Sequence, residues 1–128
     1  MEYHFTRVMS LSFEDAIARV ATELKKEGFG VLTEIDVRET LKKKLNVDFR
    51  KYKILGACNP HFAYQALQAE DKIGTMLPCN VVVQETAGGA IEVSAVDPVV
   101  SMAAIENPAL AKIAEQVRTK LKSVIEAL

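Results

Sequence analysis

The sequence has no tryptophan, only two cysteines, and no apolar run near the ~20 residues that a membrane-spanning helix needs. It also lacks an excess of charge. The formal net charge is -1, so no basic field exists to hold nucleic-acid phosphates. These absences exclude a membrane-spanning helix and argue against nucleic acid as a partner. The amino terminus, "MEYHFTRVMS", has no apolar core of a signal peptide, which predicts a cytoplasmic protein. In that reducing compartment two cysteines are expected as free thiols. There is no P-loop, no G-x-G-x-x-G, no G-x-S-x-G and no H-E-x-x-H, so no cofactor is named by motif. No repeat, linker or low-complexity segment divides the chain, and 128 residues suit one domain, 1–128.

What is present is a run of well-patterned elements. Tyr3 to Met9 alternate as a strand. Ser12, with Asp15 three residues on, opens a helix striped by Phe13, Ala16, Ile17, Val20, Ala21 and Leu24, which Gly28 stops. Gly30 to Ile35 reads as a second strand. Asp36 and Glu39 open a short helix through Leu45, with an apolar seam so thin that it belongs at the edge of the fold. Its Lys42-Lys43-Lys44 run is read as a solvated face.

Tyr52 to Cys58 is a third strand, followed by Asn59 as N-cap and Pro60 as first residue of a third helix. Two alternating runs, Val81-Val83 and Ile91-Val93-Ala95, flank an Ala87-Gly88-Gly89 turn as a hairpin that Asp97-Pro98 ends. Asn107-Pro108 opens a final long helix carrying Leu110, Ala114, Val117, Leu121 and Val124. The sum is an α+β fold: an antiparallel-rich sheet of four to five strands with two long helices packed on one face.

The chemistry concentrates in "CNPHFAYQALQAEDKIGTMLPCN", Cys58 to Asn80, which holds both cysteines and His61. Cys58 stands just outside a helix N-terminus, where unpaired N–H groups favour a thiolate. It also shares strand parity with Ile54 and Gly56, so plain burial competes with a reactive thiol. Cys79 shares parity with Val81 and Val83. Cys58, His61 and Cys79 together could hold a soft or borderline metal, with Asp71 or Asp97 as fourth ligand, but their spacing is not a zinc pattern, and a surface histidine at a helix start is the commoner explanation of His61. A Cys58–Cys79 bridge would close a loop of about 20 residues and contribute roughly 3 kcal/mol, but the compartment leaves it at most a transient redox bond. Met76 and Leu77 could line an apolar pocket or simply fill the core. Three readings follow: a module binding or sensing a small ligand or metal through Cys58, Asn59, His61, Leu77, Cys79 and Asp97; an enzyme with Cys58 as nucleophile; or a structural, interacting protein with no catalytic site.

The blocks "YKILGACNPHFAYQAL", "GTMLPCNVVVQE" and "GGAIEVSAVDP" resemble the bacterial family known as domain of unknown function 302, over nearly the whole chain. The resemblance implies an α+β fold of TATA-binding-protein-like type and a homodimer. It implies no activity. Its diagnostic positions here are Cys58, Asn59, Pro60, Leu77, Pro78, Cys79 and Asp97-Pro98.

Overall fold

The computed structural model describes residues 2–128. The order is β1 (His4–Met9), α1 (Phe13–Lys26), β2 (Gly30–Asp36), α2 (Val37–Leu45), β3 (Tyr52–Cys58), α3 (Pro60–Ala69), a 3-10 turn (Ile73–Met76), β4 (Cys79–Glu85), β5 (Ile91–Val96), α4 (Pro98–Ser101) and α5 (Pro108–Glu126). The five strands form one sheet in the order β1-β5-β4-β3-β2, with every neighbouring pair antiparallel. The α+β class and the helices on one face are as the sequence predicts.

Strict alternation puts Val81 and Val83 of β4, and Ile91, Val93 and Ala95 of β5, into the core. Against them pack Ala16, Val20 and Leu24 of α1 and Val117, Leu121 and Val124 of α5. Leu24, Leu55 and Leu121 have no exposed surface, and burying each such side chain stabilises the fold by about 1.5–3 kcal/mol. Val82, Gln84, Glu92 and Ser94, on the opposite sheet face, are only partly buried.

Three caps form as their sequences suggest. Ser12 Oγ accepts from the Asp15 amide at 3.1 Å, Asp36 Oδ1 from Glu39 at 3.0 Å, and Asn107 Oδ1 from Ala109 and Leu110. Asn107 also donates through Nδ2 to the Ala69 carbonyl at 2.8 Å, which ties the end of α3 to the start of α5. The thin helix α2 buries no residue, in keeping with its edge position.

Two small elements depart from the expectation. Asp97 does not merely end the hairpin: its Oδ1 accepts from the Val99 amide at 3.0 Å and caps the short helix α4. The Ile73–Met76 turn, with Ile73 fully buried, makes a second small cluster with Ala66, Met102, Leu110 and Ala114.

Candidate functional site

Cys79 opens β4 and stands opposite Ala57 of β3. Cys58 follows Ala57, closes β3, and stands opposite Gly30 of β2. The two ends of the Cys58–Asn80 stretch therefore meet side by side because β3 and β4 pair directly. Both cysteines are free thiols. Cys79 is buried, and its pKa is pushed up to about 11, chiefly because burial disfavours the thiolate and secondarily through the neighbouring Cys58. At neutral pH it is a small apolar side chain in all but name.

Between this end of the sheet and helices α3 and α5 lies a cavity of about 40 Å³. Cys58, Asn59, Leu77 and Cys79 line it. Phe29, Phe62, Ala63, Met102 and Ile113 complete much of an almost wholly apolar wall. Phe29 is the residue that sequence reasoning passed over. It is 3% exposed and sits between Gly28 and Gly30, and a lone aromatic residue flanked by two glycines is a signal that could have found it.

The structure separates the other two site residues from this group. His61 is exposed on α3, where Gln65 Nε2 donates to its Nε2 at 3.2 Å and its ring meets Phe62 edge-on. It follows Pro60 on the first turn of α3, and that phase turns it out to solvent. Asp97 is buried, but its carboxylate is committed: Oδ1 caps α4 and Oδ2 pairs with Arg118 Nε at 3.2 Å. Asp71 is exposed and paired with the adjacent Lys72. Among the described residues no three His, Cys, Asp or Glu side chains form a group able to hold a metal ion. The Cys58–His61–Cys79 metal set is therefore not assembled, because the helix phase of His61 opposes it.

Asn59 corrects the expectation in another way. It occupies the N-cap position of α3, yet its side chain makes no cap hydrogen bond. Instead Nδ2 donates to the Glu27 carbonyl at 3.2 Å, bracing the turn between α1 and β2 against the start of α3. Gly28 in that turn has φ +87°, and a Cβ there would stand 3.0 Å from Asn59 Nδ2. Pro78 follows a cis Leu77–Pro78 peptide, and its Cγ lies where a Gly56 side chain would be: a Cβ on Gly56 would meet Pro78 Cγ at 2.7 Å and overlap Thr33 Oγ1. The asparagine and the proline thus serve chain geometry around the cavity.

No helix among the described residues is long and apolar enough to cross a membrane. No curated protein matches the chain. Among solved structures it is similar to the crystal structure of an uncharacterized conserved protein DUF302 from Bacillus stearothermophilus, with 31% sequence identity, 98% of each chain covered and a TM-score of 0.91. Residues 5–128 match the family described as "Domain of unknown function DUF302". The match takes in both strand ends that wall the cavity, and the chain belongs to the DUF302 family.

Proposed function

We propose that this chain is a binding module that seats a small apolar group in the cavity beside Cys58 and Cys79. One observation carries the reading. The two sequence blocks that mark the family, around Cys58 and around Cys79, are brought together to wall one apolar space. Size decides what the space can take. Pockets that engulf a whole small molecule run to about 300–1,000 Å³, far above the 40 Å³ here, so only the apolar tip of a ligand is seated. A metal ion does not suit a wall with so little polar surface.

A thiol enzyme is the weaker reading. His61, the imidazole nearest Cys58 in sequence, is engaged by Gln65 on its own helix and not by a thiol. The binding reading also suits the cytoplasm, where two unpaired thiols stay reduced. Thermal denaturation with a panel of small alkyl and aryl compounds tests it. At least one should raise the midpoint of the native protein, and uniform failure of the panel would sink the reading.

A second reading concerns assembly and stands beside the first. β2 is an edge strand whose Leu32 and Ile35 are 68% and 49% exposed. Apolar side chains on an unpaired edge favour strand-to-strand association, and a homodimer joined along β2 would cover them. Sedimentation should show a dimer that Leu32→Lys dissociates; a monomer at all concentrations would refute it.

A further inference from the structure

The open face of the sheet holds a groove of about 360 Å³, on the side away from the helices and the apolar cavity. Its lining follows from strand alternation. Val82 and Gln84 alternate with buried Val81 and Val83, and Glu92, Ser94 and Val96 alternate with buried Ile91, Val93 and Ala95. Tyr3 and Tyr52 stand at its sides. This volume falls within the ~300–1,000 Å³ range of small-molecule pockets.

The lining holds one carboxylate and one imidazole, His4. Glu92 is the only Asp, Glu, Lys or Arg side chain in the lining, and it takes part in none of the ion pairs among the described residues. Ser94 is held in place: its Oγ is 2.8 Å from Thr6 Oγ1, which is 2.6 Å from His4 Nδ1. Arg50 donates from Nε to Gln84 Oε1 at 2.9 Å and lies 5.3 Å from the Tyr52 ring centre, so the Tyr52 side already carries a cation. Tyr3, also in the lining and 63% exposed, meets the His4 ring edge-on at 4.9 Å and leaves much of its own ring to solvent.

We infer that this groove binds a small organic monocation, a primary amine on a short apolar or aromatic body. Its ammonium pairs with Glu92, and its body lies over Val82 and Val96. A carboxylate in no ion pair among the described residues favours a cation, and a tyrosine ring adds cation–π attraction. The site is on the opposite sheet face from the proposed cavity, so each stands or falls alone.

Backbone amide NMR of the full chain tests it with three probes of one shape: phenethylamine, 2-phenylethanol and phenylacetate. The amine should shift amides around Val82, Glu92 and Ser94, and bind about tenfold more tightly than the alcohol, with the acid weaker still. Glu92→Gln should remove that preference while its amide spectrum elsewhere stays native. Equal binding of all three probes, shifts located elsewhere, no shifts at all, or a Glu92→Gln protein that keeps its preference for the amine would each overturn the assignment.

Discussion

Asn59 Nδ2 donates to the carbonyl of Glu27 at 3.2 Å, across 32 residues of chain. This bond joins the end of α1 to the start of α3 and fixes one side of the cavity mouth. Asn59→Ala should lower stability by about 1 kcal/mol, the usual net worth of one such bond. Gly28→Ala should cost more, about 1–3 kcal/mol, because an L residue at φ +87° is strained and its Cβ crowds Asn59. Urea denaturation of both variants checks the order, and a neutral Gly28→Ala would contradict it.

Gly56 is where β2, β3 and the Leu77–Pro78 segment come closest. Gly56→Ala should destabilise by about 1–3 kcal/mol through overpacking against Thr33 and Pro78. Pairing it with Thr33→Ala should recover part of that loss, since Thr33 Oγ1 is the nearest obstacle. A double-mutant cycle with no coupling would disprove this close packing.

Cys79 makes stability depend on alkaline pH. As pH rises through 9.0 the unfolded thiol loses its proton, while the folded one keeps it until about 11. The contribution is therefore complete below pH 9.0 and is lost between there and about 11. The full loss is of order 3 kcal/mol at ~1.4 kcal/mol per unit. Cys79→Ala should be less stable at neutral pH through a lost packing group, yet show a flatter decline in this window. Parallel slopes for the two proteins would refute the role of burial.

Asp97 is a structural residue in this account. Asp97→Ala removes the α4 cap and leaves Arg118 without its carboxylate, at a cost of about 2–4 kcal/mol. Asp97→Asn keeps the capping oxygen and should cost clearly less. Thermal midpoints distinguish them, and equal losses would mean that the cap contributes nothing.

Much of the fold was legible because its signals are local. Alternation over Val81–Val83 and Ile91–Ala95 found the hairpin, and the stripe from Leu110 to Val124 found α5. Ser12, Asp36 and Asn107 cap through amides two or three residues away. What was missed depends on distant partners. Nothing near Asn59 in sequence points to Glu27, and nothing near Asp97 points to Arg118. The parity of Cys79 correctly put it on the core side, but the meeting of its strand end with Cys58 required the β3–β4 register, which periodicity does not fix. His61 lies on the surface at the start of α3, the commoner reading of a histidine there; only its alternative role as a metal ligand fails, because closeness in sequence to Cys58 says nothing about which way the first helical turn faces.

The most direct test of the binding account is methyl NMR titration of the native protein and of Ala63→Leu, a variant that fills the cavity. Small alkyl and aryl compounds should perturb methyls of Leu77, Met102 and Ile113 in the native protein. Ala63→Leu should remain folded and lose that response. Compounds that leave these methyls untouched, or that bind the filled variant equally well, would show that the cavity is only a gap in the packing.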